Sequence, residues 1–186
     1  MMSQGRYRTI VADPPWEFNA VPTTRLPGGV IHDGRKTKMP YRCLSVSEIA
    51  GIPVRDLACP TSHLYLWTLN AFIEDAYDIA RAWGFRPSTL LVWAKTPMGI
   101  SGGGAWTSNV EYVLFARRGT LATKRRWDTR WFNWPRTSVH SRKPDAFLDM
   151  VEETSPGPYL EMFARRQRLG WDTWGNEALN HVDIAS

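Results

Sequence analysis

Residues 7–16 read Tyr-Arg-Thr-Ile-Val-Ala-Asp-Pro-Pro-Trp, an apolar run that stops at an acid, two prolines and an indole. The run from Tyr7 to Ala12 has the composition of a buried strand. Consecutive prolines fix their own backbone and hold the preceding residue extended, so the Asp13 carboxylate and the Pro14 carbonyl are expected to stand rigidly at the strand's end. Both groups only accept hydrogen bonds. An exocyclic aromatic amine has two hydrogens to donate and a flat ring to stack, so Asp13, Pro14, Pro15 and Trp16 together suit an adenine amino group. A rigid turn with a packed tryptophan is the plainer reading of the same four residues.

Outward from this turn, apolar runs at 64–69, 90–93, 110–116 and 159–163 read as further strands. Helical spacing occupies 45–50, 71–83 and 144–154, the second ending at Gly84 and the third opening with Pro144, a residue suited to a first turn. Strands alternating with helices predict an α/β fold of Rossmann-like type, a mostly parallel sheet with helices on both faces and ligands at the carboxyl ends of the strands. Asp13 falls at such an end. No repeat, low-complexity stretch or linker divides residues 1–186, which are read as one domain.

The chain carries a net charge of +5, and 43% hydrophobic with 22% charged residues is an ordinary globular composition. The basic balance leans toward a polyanionic partner. Cys43 and Cys59 have no paired spacing with each other or with His32, His63, His140 and His181, which points away from a disulfide framework and from a metal site. A polar start at residues 1–8 and the lack of a membrane-length apolar stretch make a cytoplasmic protein the expectation, with no membrane partner.

Three segments, 17–39, 96–108 and 119–142, fit neither strand nor helix, and loops of this length are usually functional or disordered. In the third segment and at its two edges, Arg117, Arg118, Lys124, Arg125, Arg126, Arg130, Arg136, Arg142 and Lys143 are interleaved with Trp127, Trp131, Phe132 and Trp134. Cations neutralise phosphates and flat rings stack on bases, so Lys124, Arg125, Arg126, Trp127, Arg130 and Trp131 are candidate contacts to nucleic acid. The alternative is that the aromatics pack back onto the core.

Asp13-Pro14-Pro15-Trp16, Pro40-Tyr41, Leu64-Tyr65-Leu66-Trp67, Trp93-Ala94-Lys95-Thr96, Ser141-Arg142-Lys143-Pro144-Asp145, Glu161-Met162-Phe163-Ala164-Arg165 and Gly175-Asn176-Glu177 occur in that order. Together they resemble the adenine methyltransferase family typified by the catalytic subunit of the eukaryotic mRNA adenosine methyltransferase and its bacterial and phage relatives. The resemblance implies transfer of methyl from S-adenosylmethionine to the 6-amino group of adenine, with the catalytic turn early in the chain and cofactor contacts late. It implies that Lys143 meets the methionine carboxylate of the cofactor, and that Phe163, Arg165, Gln167, Asn176 and Glu177 surround its ribose and adenine. It places Tyr41 near the target base. Lys95 and Glu111 join the candidates because they lie at strand ends on the same side.

Two departures stand out: segment 17–39 is longer than the link in the eukaryotic enzyme, and little chain precedes the Asp13 strand, so the residues holding the cofactor adenine are unassigned. DNA is the first choice of substrate and RNA the second, on size and the lack of an appended RNA-binding domain. The rivals are a partner subunit that binds nucleic acid without catalysis and a methyltransferase acting on a protein amide. A homodimer or a partner subunit stays open.

Overall fold

The computed structural model describes residues 5–17, 42–95, 109–135 and 143–175. Seven strands, β1 (Tyr7–Ala12), β2 (Ala58–Thr68), β3 (Arg86–Ala94), β4 (Val110–Arg118), β5 (Trp131–Phe132), β6 (Tyr159–Met162) and β7 (Trp171–Trp174), form one sheet in the order β5-β3-β4-β2-β1-β6-β7. The pairs β1/β2, β1/β6, β6/β7 and β3/β5 are parallel. Only β4 runs against its neighbours β2 and β3. The sheet is therefore mostly parallel, as the alternating pattern predicts.

Side chains alternate across the strands, and each face is covered by its own helices. Ile10, Ala12, Leu64, Leu66, Leu114, Leu160 and Met162 point to one face. There they pack under Ile49 of α1 (Val46–Ala50), Val54 of α2 (Val54–Leu57) and Ala76, Ile79 and Ala80 of α3 (Ile73–Ala82). Val11, Tyr65, Trp67, Val113 and Phe115 point to the other, under Phe147, Leu148, Met150 and Val151 of α4 (Asp145–Thr154).

Local sequence explains the helix ends. Ser45 and Glu48 form a reciprocal capping box at the start of α1, each side chain taking a backbone N–H of the other. Pro144 sits one residue before α4 as its N-cap, rather than in the first turn as the sequence reading has it. The chain leaves β1 through α1 and α2 to β2 on one side, and returns through α4 on the opposite face to β6 on the other. Thus β1 is the strand where the winding reverses, and its carboxyl end is the crevice where doubly wound sheets bind ligands.

Candidate active site

Asp13 occupies that crevice, its N–H continuing the ladder to the Met162 carbonyl at 3.4 Å. The two prolines then turn the chain so that Trp16 N–H reaches back to the Pro14 carbonyl at 2.9 Å. A carbonyl oxygen has two lone pairs, so Pro14 keeps one acceptor site beyond this bond. Leu44 N–H donates to the Pro15 carbonyl at 2.9 Å and Glu17 N–H to the Leu44 carbonyl at 3.2 Å, which pins the far end of the turn.

Four charged side chains from separate elements converge here. Lys143 Nζ, just ahead of α4, lies 3.0 Å from Asp13 Oδ1 and 3.1 Å from Glu111 Oε2 near the start of β4. Lys95, following β3, approaches Glu111 Oε1 at 2.5 Å. All four side chains are between 14% and 25% exposed, so the quartet is mostly shielded and electrically balanced. The Lys143 ammonium also lies 5.0 Å from the centre of the Trp67 ring. The structure thus brings Asp13, Lys143, Lys95 and Glu111 into one cluster, a grouping the sequence reading did not draw.

The two carboxylates differ in proton affinity. Burial pushes the Asp13 carboxyl above the usual carboxylate range, with Lys143 opposing and Glu111 reinforcing. For Glu111 burial acts in the same sense, but Lys143 and Lys95 overcome it and hold the group below its ordinary value. Burial works against the Lys143 charge, and Asp13 and Glu111 outweigh that, so the lysine stays protonated. Environments that split two neighbouring carboxyls in this way assign roles: Glu111 is the fixed anion and Asp13 the group able to take up a proton.

A fifth residue was missed. Glu161 of β6 pairs with Val11 of β1, so it lies about 8 Å from Asp13 across and along the sheet on the same face. One of its carboxylate oxygens is buried without a hydrogen-bond partner. Burial pushes the Glu161 carboxyl up to about 7, with the charge of Asp13 adding and that of Arg168 opposing. The visible signal was an acid inside an otherwise apolar strand. Just beyond it, Phe163 adopts φ 61°, a left-handed conformation rare outside glycine. Ala164 N–H then bonds the Trp174 carbonyl at 3.1 Å, and any Cβ on Gly175 would meet the Ala164 backbone at 2.8 Å. Two loops therefore cross in close contact beside Asp13.

Other expectations fare differently. Trp16 is 7% exposed, stacked on Phe72 with ring centres 5.0 Å apart, and its indole N–H bonds the Trp67 carbonyl. The stacking platform expected of Trp16 is therefore replaced by a buried prop under the turn, because Phe72, in the helical turn that follows β2, supplies the apolar cover. Arg165 is close enough to Asp13 to lower its proton affinity. Gln167 is exposed, and Phe163 meets Trp174 edge to face at 5.1 Å. Tyr41, Asn176 and Glu177 lie outside the described residues.

The basic aromatic segment also folds inward more than expected. Trp127 donates its indole N–H to Thr154 Oγ1 at 2.8 Å, and Phe132 stacks on Trp134 with centres 4.4 Å apart. Trp127, Phe132 and Trp134 all pack against the core beneath α4, while Trp131 remains 55% exposed. Arg125 pairs with Glu153 and covers the Trp127 ring at 4.0 Å. Lys124 and Arg125 share a shallow depression with Asp149, Glu152 and Glu153, so acids of α4 offset their charge. For Trp127 the packing alternative holds, because its ring area is worth more against the core than in water.

A mostly parallel, doubly wound sheet with one antiparallel strand and a crevice at its switch point is the architecture of the Rossmann-like methyltransferases. Within that class the chain belongs to the MT-A70 family, whose profile matches residues 7–177. It is similar to the type II methyltransferase M.MunI of a Mycoplasma species, at 26% identity over 92% of this chain and 78% of that one. The human N(6)-adenine-specific methyltransferase METTL4 is 27% identical over 95% of this chain and 39% of its own length. The human N(6)-adenosine-methyltransferase catalytic subunit METTL3 is 24% identical over 93% and 28%. The chain thus spans most of the Mycoplasma protein and well under half of either human one. Among the described residues no helix is long and apolar enough to cross a membrane.

Proposed function

We propose that this chain is an adenine methyltransferase that moves methyl from S-adenosylmethionine to the exocyclic 6-amino group of adenine in nucleic acid, with DNA as the substrate. The observation that carries the reading is Asp13, held at the crevice beside Lys143 with an acceptor site free on the Pro14 carbonyl. DNA is preferred to RNA on the similarity to the type II methyltransferase.

The residues present suit the cofactor. S-adenosylmethionine brings a carboxylate and an ammonium group, and the site offers a complement to each. Lys143 has three N–H donors and two carboxylate partners, so one donor remains for the carboxylate. Glu161 has an unpartnered oxygen for a cation. The family resemblance assigns ribose and adenine to Phe163, Arg165 and Gln167, together with Asn176 and Glu177, which lie outside the described residues. When bound, the cofactor supplies an electrophilic sulfonium methyl.

What the chain itself does is hold and polarise the amine. An aniline-like nitrogen is a weak nucleophile because its lone pair is delocalised into the ring. Accepting its two hydrogens at Asp13 and the Pro14 carbonyl favours a pyramidal nitrogen and stabilises the positive charge that forms there. Asp13 then takes the proton released, for which its raised affinity suits it. Lys143 and Glu111 fix the carboxylate in place, and positioning supplies much of the rate. A base inside a duplex has to leave the stack to reach this crevice.

The test is transfer of labelled methyl to duplex DNA, single-stranded DNA, RNA and protein in parallel, with wild type beside Asp13→Ala. Label recovered as 6-methyladenine in DNA and reduced about 100-fold or more in the variant is expected. Label in a protein amide, or equal label from the variant, would refute the reading; label in RNA alone would refute the choice of DNA.

A further inference from the structure

The tip of β4 and the segment that follows it enclose a second cavity, of about 380 Å³, on the α4 face of the sheet. Phe115, Arg117, Arg126, Trp127, Arg130 and Phe132 are in its wall. It is distinct from the Asp13 crevice. Lys143 precedes α4 and Thr154, another wall residue, ends it, so the two places are separated by the helix length, about 15 Å.

Charge in this cavity is not internally balanced. Arg125 is paired with Glu153, but among the described residues no carboxylate pairs with Arg117, Arg126 or Arg130. Arg117 leans over the Phe115 ring at 5.2 Å, and its Nε–H is buried without an acceptor. A buried guanidinium N–H without a partner is costly, which is a reason to expect an acceptor from outside the chain. The walls between the arginines are flat and apolar. The frame is also preformed: His63 Nε2 donates to the Leu121 carbonyl at 3.0 Å, and its Nδ1 accepts from Ser155 Oγ at 2.8 Å. That pair fixes where the covering segment begins. Trp127 fixes its middle through Thr154.

Anionic oxygen beside a planar ring is the chemistry of a nucleotide, and the volume lies in the range of small-molecule sites. We propose that this cavity is a second nucleotide-binding site, in which Arg117, Arg126 and Arg130 take the phosphate and the Phe132 wall takes the base. Its occupant is a nucleotide of the substrate strand that flanks the target adenine, a choice that rests on the nucleic-acid reading above. The 15 Å between the two places equals about four stacked nucleotides at ~3.4 Å each. The cavity therefore measures distance along the strand from the base that reacts.

The experiment is binding of single-stranded oligonucleotides of three to ten nucleotides, each with one adenine at its end, to wild type, Arg117→Met and the double variant Arg126→Ala/Arg130→Ala. Wild type should gain roughly tenfold in affinity once the strand reaches the cavity, and the variants should lose that step. A step of equal size in all three proteins would overturn the proposal. Titration with adenosine monophosphate and with inorganic phosphate identifies the source. A mononucleotide that binds in an Arg117-dependent way and is not displaced by the long strand supports a nucleotide site but overturns the strand as its source. Phosphate that competes as well as the mononucleotide overturns the base-binding wall. Should a variant fail to fold, crosslinking wild type to a strand carrying iodouracil four positions from the adenine decides the matter: adducts within residues 119–135 support the site, and adducts only elsewhere overturn it. These readouts need no methyl transfer, so loss of the length step with normal transfer condemns the cavity alone, and the reverse condemns the proposed reaction alone.

Discussion

Glu161 shows how one buried side chain makes stability depend on pH. An acid whose folded-state value is near 7, above an ordinary value of 4.5, is penalised when ionised in the fold. The penalty is absent below about 4.5, grows between the two values and is complete above about 7. Glu161→Gln should therefore stabilise the protein at pH 8 by about 1–3 kcal/mol and change little at pH 4, as measured by denaturant unfolding at both. Saturating S-adenosylmethionine should shrink the difference at pH 8 if its ammonium sits at the free oxygen. Asp13 gives the complementary prediction for turnover. Its proton affinity is raised, and the reaction needs it ionised, so the acid limb of kcat/KM should lie above the ordinary carboxylate value of 3.8. Lys143→Met should move that limb further toward neutral pH by removing the cation that opposes the rise.

The elements differ in how well the sequence announces them. Strands β1, β2, β4 and β6 were legible because their apolar runs are long or bounded by prolines and glycines. Three elements of two to four residues, β5, α2 and β7, were not, because so short a window holds no period. The antiparallel course of β4 was also hidden, since it depends on the link between β3 and β4 rather than on either strand. At the site, Asp13 could be read from local backbone chemistry alone, but the ion quartet joins residues 13, 95, 111 and 143, which only the sheet order brings together. Trp16 and Trp127 misled for one reason: a tryptophan's letter does not say which of its faces the fold will cover. Element ends allow direct tests. Ser45→Ala removes one half of the capping box and should lower stability by about 1 kcal/mol, seen as a shift in the unfolding midpoint. Gly175→Ala should disturb more than that, because its Cβ would meet backbone at 2.8 Å and must push the loops beside Asp13 apart. Reduced cofactor affinity with little loss of secondary structure is the expected result.

Across the whole molecule the +5 charge is unevenly available. Lys124 and Arg125 face acids of α4, whereas Arg117, Arg126 and Arg130 face an open cavity. Salt dependence of binding should follow that division. Arg126→Ala/Arg130→Ala should flatten the slope of log affinity against log salt by about one to two, and Lys124→Ala should leave it nearly unchanged. Equal effects would mean that total charge, not its arrangement, governs binding. The bridge between Trp16 and Leu44 has a consequence of another kind. Chain leaving the Asp13 turn at Glu17 is met by chain returning at Leu44, through hydrogen bonds made by backbone and not by side chains. Everything inserted between those two points can change in length and composition while the clamp keeps Asp13 where it is, and lengthening such an insertion costs only about 0.6 kcal/mol per doubling. The position of the Asp13 carboxylate is thus set locally, by main-chain pairing a few residues away, and not by how much chain joins the two sides of the clamp.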